Sequence, residues 1–368
     1  MHRLLLAFCL LAVAACDDPA PVGIDLVDEQ SGTPYVLEIQ SSAPEYVPAT
    51  ENTGNTARTL FGSVDDAELG STEARGYLDF VSPGVFTQAF ENNSIEQADL
   101  LLLSDYVYGD SLTEVTVTLR SVDLEWSGSG AKSDTTIFVG DVVTQSVQHP
   151  QSTLLAIPLP DDWIARWDTT FKSQSFGDLF HGFELTTESR TAVLGALVLG
   201  SSIRFITAGD TTFFSAGRSL TRLIDPTGPV SGSAGLVFQD GQTQAAAFTP
   251  QFGAPTSLVL NRGLVRVAAD TSLSVNTPLG FSRPAIDQLQ LDWISRDGTR
   301  LPIGLASRGD THFQFESIQL HDSLSVLLRG KSALDHFELR VPDSNNGISV
   351  ILLPTAPVLH LAVTPVQQ

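Results

Sequence analysis

The chain has 368 residues, with 42 acidic against 20 basic side chains and a formal net charge of −22. A phosphate-binding surface needs clustered lysine and arginine. Here only Lys132, Lys172 and Lys331 are lysines and the arginines are scattered singly, so nucleic acid is excluded as a partner. Cysteine occurs at Cys9 and Cys16 alone.

The first element is an export signal over residues 1–15. Arg3 supplies a positive start and Leu4 to Val13 an apolar core, shorter than the roughly 20 residues needed to cross a bilayer. Val13-Ala14-Ala15-Cys16 resembles the lipobox of bacterial lipoproteins, which implies diacylglycerol on the Cys16 thiol, cleavage just before it, and acylation, palmitate included, of the new amino terminus. Several acyl chains, at about 0.8 kcal/mol per buried methylene, make such an anchor permanent. The alternative is an ordinary secretory peptide. With Cys9 removed and Cys16 lipidated, the folded body has no thiol for a disulfide, thiol catalysis or thiolate metal site. Asp17-Asp18 resembles the surface-export signal of Bacteroidetes-lineage lipoproteins, although aspartate there also resembles an inner-membrane retention signal in enteric bacteria. The outer membrane, facing outward, is the favoured location.

Residues 16–55, rich in Pro, Gly, Ser, Thr and acids, are predicted to be a spacer carrying one strand-like run, Tyr35-Val-Leu-Glu-Ile39. Beyond it alternation dominates. Val115, Val117 and Leu119 share one face, Leu289, Leu291 and Trp293 another, and Phe313 and Phe315 a third, the pattern of half-buried strands. Asp240-Gly241 and Asp297-Gly298 are type I′ hairpin signals. Asp161 to Phe171 is the best helix, with Asp161 or Asp162 as cap and Trp163 and Trp167 on one face over an open sandwich end. Val122, Leu124 and Trp126 extend an alternation that puts Trp126, like Trp293, in a core.

The chain also repeats itself. Ile95 to Asp105 aligns without gaps on Leu260 to Asp270, Gly182-Phe183-Glu184-Leu185 on His336-Phe337-Glu338-Leu339, and Ile203 to Thr207 on Val358 to Ala362. The predicted fold is therefore all-β: two antiparallel, jelly-roll-like β-sandwich domains, 56–208 and 209–368, with short accessory helices.

Taken in order, Cys16-Asp17-Asp18 with Gly23-Ile-Asp-Leu26, Leu60-Phe-Gly62-Ser, Leu69-Gly70-Ser-Thr-Glu-Ala74, Ala98-Asp-Leu100, Tyr106-Val-Tyr108-Gly109-Asp110 and Phe180-His-Gly182-Phe183 resemble a family of two-domain Bacteroidetes-lineage lipoproteins, filed as domain of unknown function four-two-seven-zero. The resemblance implies location and fold; the family's activity is unassigned. A looser similarity links the strand words to surface β-sandwich modules that often bind carbohydrate.

Catalytic motifs are scarce. There is no His-Glu-x-x-His, no Gly-x-Ser-x-Gly elbow and no P-loop, and the histidines are dispersed. His181 and His336 read as structural groups beside strand starts. Carboxylate pairs about 5–10 Å apart, as glycoside hydrolysis requires, are too numerous among 42 acids to be informative. No catalytic residue, metal ligand or cofactor is assigned, apart from the covalent lipid on Cys16. Asp105 and Asp110 around Tyr106 and Tyr108 are the candidate ligand site, as an aromatic sugar platform or a source of calcium oxygens; an ordinary hairpin tip is the simpler reading. Asp343-Ser-Asn345-Asn346-Gly347 lacks the later glutamate of an EF-hand and reads as a turn. The expected role is a non-enzymatic surface module binding a glycan or other extracellular polymer. The alternatives are an accessory subunit docking on an envelope protein complex and, more weakly, a carboxylate-dependent glycosidase.

Overall fold

The computed structural model describes residues 33–48, 53–132, 134–173, 175–224, 235–240, 244–252, 258–330, 334–342 and 347–365. Strands make up 58% and helices 12%, in antiparallel sheets, so the chain is all-β.

The first half is a single ten-stranded sheet, completed by the two-residue strand Phe281–Ser282 from the second. Val115, Val117 and Leu119 point inward as their alternation predicts and meet Leu100, Leu155, Leu185, Leu194 and Phe205 in one core. Strands distant in ladder order share that core, so the sheet folds back over it. Three long strands, Ile95–Asp110, Thr191–Thr207 and Asp210–Ile224, make the bend. Their registers shift at Gly195/Ala196, Leu197/Ser202 and Ala216/Arg218, and each bulge bends and twists its strand.

Helix Asp161–Phe171 forms where predicted and carries Trp163 and Trp167 toward this core, as the spacing requires. Its N-cap is Pro160, not Asp161 or Asp162; those two lie in the first turn, where their charge suits the positive end of the helix dipole. Phe171 sits at its far end, 4.5 Å from the Phe205 ring centroid and 5.2 Å from that of Phe180, in an aromatic plug.

In the second half, a four-stranded and a five-stranded sheet face each other across one core holding Val265, Leu359 and Leu361 from the first, and Leu289, Leu291, Trp293 and Phe337 from the second. This is a β-sandwich. Phe313 and Phe315 are inward, as predicted.

Two boundary expectations and two hairpin expectations are corrected. Tyr35–Gln40 is a strand, but it and Glu45–Pro48 are not parts of a spacer: the first pairs with Val358–Val363 and the second with Gln244–Ala247, so they edge the two facing sheets. The boundary at 208/209 falls inside a hairpin, because Asp210–Ile224 pairs with Thr191–Thr207 and with the strand Gly70–Val81. Asp297-Gly298 does turn a hairpin, but with a three-residue loop. Ser295 O accepts from Gly298 N, and only Gly298 has positive φ, at 83°, so this is a bulged turn rather than type I′. The strands flanking Asp240-Gly241 pair with other partners, in different sheets.

The repeat has a structural counterpart. Ile95–Asp110 pairs with Thr191–Thr207 as Leu258–Ala268 pairs with Val358–Pro365. The ladder skips Glu96 in one and Asn261 in the other, which are aligned positions of the repeat. The last phrase shifts by one residue, however: the buried Ile203 and Phe205 correspond to Leu359 and Leu361, not to Val358 and His360. With a side-chain period of two, a one-residue offset reverses the faces.

Candidate functional site

The four predicted ligand residues do not converge. Asp105 is the residue skipped in the ladder between Ser104 and Tyr106, and that bulge aims it at Arg58, which grips it through Nε (2.7 Å) and Nη2 (2.5 Å). Asp110 accepts from the backbone of Leu112 (2.8 Å) and from the Thr113 hydroxyl (2.6 Å), bonds that hold its carboxyl below the usual range, the Thr113 bond foremost. It is a turn cap, with its oxygens engaged. Tyr106 and Tyr108 are buried, at 8% and 0% exposure, so the sugar platform expected there is corrected: no sugar ring can stack on them.

Both tyrosines instead join the two halves. After the bulge they share one strand face, and the second half covers it with Val237, Ile348 and Val350. The Tyr106 hydroxyl accepts from Ile348 N at 2.9 Å, and the Arg58 guanidinium lies 5.1 Å from the ring centroid. The Tyr108 hydroxyl donates to Asp66 Oδ2 at 2.8 Å, and Arg283, from the second half, clamps the same carboxylate through Nε and Nη2, both at 2.8 Å. Side-chain exposures in this pair are 3% for Arg283 and 0% for Asp66. Burial pushes the Asp66 carboxyl up, but Arg283, the Glu68 N–H and the Tyr108 hydroxyl outweigh it and hold it below the usual carboxylate range. Burial likewise raises both tyrosine hydroxyls, and the Asp66 charge raises Tyr108 further.

A different region forms an open recess. Between strands Val115–Val122 and Val139–Gln148 the chain makes a long Gly/Ser-rich excursion, residues 123–138. Residues 53–55 pin it: the N–H groups of Thr53 and Gly54 donate to Ala131 O at 3.1 and 3.2 Å. The two segments touch where only glycine fits. A Cβ on Gly128 would lie 2.1 Å from Asn55 Oδ1, and one on Gly54 2.1 Å from Gly128 O.

Trp126 anchors the excursion from beneath. Its Nε1 donates to His181 O at 2.9 Å, and its ring meets Tyr77 edge-on at 6.4 Å. Leu124, in contrast, points out rather than continuing an inward alternation, because the strand ends at Val122. One cleft, of ≈ 440 Å³, is lined by Leu124, Trp126, Ile137 and Phe138 with Thr135 and Thr136 on its rim. A second, of ≈ 450 Å³, lies against Asn55, Ser127, Gly128 and Arg218; Glu125 and Trp126 border both. Phe138 is 62% and Leu124 55% exposed. Arg218 Nη1 donates to Trp126 O at 3.0 Å and lies 3.5 Å from Asp79 and 3.9 Å from Glu125. Burial pushes the Asp79 carboxyl up, against the opposing pull of the Phe80 N–H and Arg218. The sequence signal for this recess is a Trp inside a Gly/Ser-rich stretch that interrupts two alternating strands.

Among the described residues no group of three or more His, Cys, Asp and Glu side chains is placed to hold a metal ion, and no helix is long and apolar enough to cross a membrane. His181 does lie just before the strand Phe183–Thr187, whereas His336 is inside Leu334–Arg340 and bonds Asp335 and Glu338. Cys16 and residues 343–346 lie outside the described residues.

No family model matches the chain, and no curated protein matches it. A chain in the solved structure of infectious bursal disease virus Gx strain is 10% identical, over 93% of this chain and 79% of that one, with a TM-score of 0.14, a likeness that carries neither fold nor function.

Proposed function

We propose that this protein is a lipid-anchored envelope protein, attached through Cys16 to the outer membrane and facing outward, that binds a glycan or other extracellular polymer without catalysis. The observation that supports this reading is the cleft of residues 124–138. It offers exposed apolar surface at Leu124 and Phe138 beside polar groups at Glu125, Ser127 and Ser129, with Arg218 in the adjoining recess. A concave site with an apolar wall and a few polar groups is the usual form of a ligand site, and sugar rings pack their C–H faces on aromatic rings. The aromatic contact is thus assigned to Phe138 in place of Tyr106 and Tyr108.

Two measurements test the reading. On a glycan array, the full-length chain should score at least one polymer, and Phe138→Ala should lower that signal about tenfold, the effect of losing one well-packed contact, with an unchanged melting temperature. An array blank for both, with reproducible recovery of an envelope protein in a pull-down, would overturn it. Separately, palmitate labelling of the expressed protein should vanish in Cys16→Ser, which should be released from membranes; a variant still membrane-bound, from an unlabelled parent, removes the anchor.

One observation favours docking on an envelope complex instead. Val139–Gln148 ends its sheet and pairs only with Val115–Val122 among the described residues, and Val142 and Val147 are exposed on it. An unpaired edge with apolar side chains is a template for an added strand.

A further inference from the structure

We infer that the cleft beside Trp126 takes an amine-bearing polysaccharide, one with protonated amino groups and no carboxylates; this rests on the polymer-binding role proposed for the same cleft. Charge decides the class. Arg218, in the adjoining recess, donates to the Trp126 carbonyl and has its charge offset by Asp79 at 3.5 Å and Glu125 at 3.9 Å, so the site carries no excess positive charge for an anionic sugar. The rim is acidic. Glu125, with its side chain 73% exposed, borders both recesses. Asp123 is also exposed and stands beside Phe138, to whose carbonyl its N–H donates at 3.0 Å, while its carboxylate lies against Gly140. Lys132 and Asp134, both exposed in the neighbouring turn, offset each other.

The apolar wall fits the same ligand. A pyranose ring presents a C–H face to Phe138 and Leu124, and a protonated amine is attracted both to the carboxylate of Glu125 and to an aromatic face. The whole chain, at −22, draws cationic polymers toward it and repels uronic acids before contact.

Calorimetric titration of the full-length chain in detergent with three hexamers tests this: glucosamine, N-acetylglucosamine and galacturonic acid. The glucosamine hexamer is expected to bind, the N-acetylated one about tenfold or more weaker, and the galacturonate not at all. Glu125→Gln should weaken glucosamine binding about tenfold, as loss of a charge-assisted hydrogen bond does, and leave the N-acetylated hexamer unchanged. Raising salt from about 0.05 to about 0.5 M should weaken the glucosamine complex selectively, a readout on the unaltered protein. Equal or tighter binding of either other hexamer, or no response to Glu125→Gln and salt, overturns the inference and leaves polymer binding standing. Silence from all three hexamers, with another saccharide scored on the array, overturns the inference alone; a blank array overturns both.

Discussion

Asp66→Ala is expected to destabilise the folded chain by about 3–5 kcal/mol, because it strands a buried guanidinium without its partner. Arg283 is enclosed at the junction of the halves and spends two of its donors on this one carboxylate. Replacing the whole group should cost far less. Asp66→Leu combined with Arg283→Met and Tyr108→Phe removes the three side chains that bond one another, leaving only the Glu68 and Leu69 N–H groups and the Leu273 carbonyl to find new partners, and apolar substitutes for a buried ion pair are often neutral. Urea unfolding of the single and triple variants decides it: if the single variant loses under about 1 kcal/mol, the clamp contributes no more than a surface pair.

The same carboxylate predicts the direction of acid sensitivity. Its folded pKa is depressed below its unfolded value, so its stabilisation is fully present above roughly pH 4 and is lost as pH falls through the folded pKa. Parent and triple variant should therefore differ by a constant amount above about pH 4, and the parent should lose stability relative to the triple variant as pH falls below it. Parallel stability curves through that range would show that Asp66 does not titrate with the fold.

Deleting residues 33–48 is expected to have the other large effect. Two strands leave, one from each facing sheet, taking the buried Ile39 and exposing the edges Val358–Pro365 and Gln244–Phe248. Burial of one aliphatic side chain is worth about 1.5–3 kcal/mol, and the lost ladder bonds add to it, so the second sandwich should lose at least about 3 kcal/mol. Hydrogen exchange should show lost protection along both edges and little change in Val115–Val122. Unchanged protection would return these residues to the role of a spacer. The chain thus passes through the C-terminal sandwich before building the N-terminal half.

How much of this was legible in the amino acids differs element by element. Val115, Val117 and Leu119, Leu289, Leu291 and Trp293, and Phe313 and Phe315 all point inward as alternation predicts, and Asp161–Phe171 is helical over its expected length. The repeat was legible in its first phrase, whose strands pair alike and skip the aligned Glu96 and Asn261, while its last phrase was one residue out of register and the bulges themselves left no sequence signal. The ligand site was misread for a definite reason. Tyr106-Val-Tyr108-Gly109-Asp110 has the composition of a polar hairpin tip, yet it lies inside a sixteen-residue strand whose aromatic face is covered from far along the chain.

Alternation and helical spacing are local properties, so the all-β class and the inward faces of many strands follow from neighbours a few residues apart. Which faces then meet is settled by contacts between distant residues: Arg283 and Asp66 are 217 positions apart, Ile348 and Tyr106 are 242 apart. No periodicity encodes those separations. They buried the tyrosines, moved Asp210–Ile224 into the first half and drew Tyr35–Pro48 into the second. They also anchored the excursion at 123–138 on its inner side, through Trp126, Ala131, Ile137 and residues 53–55, and left Leu124 and Phe138 exposed at the candidate site.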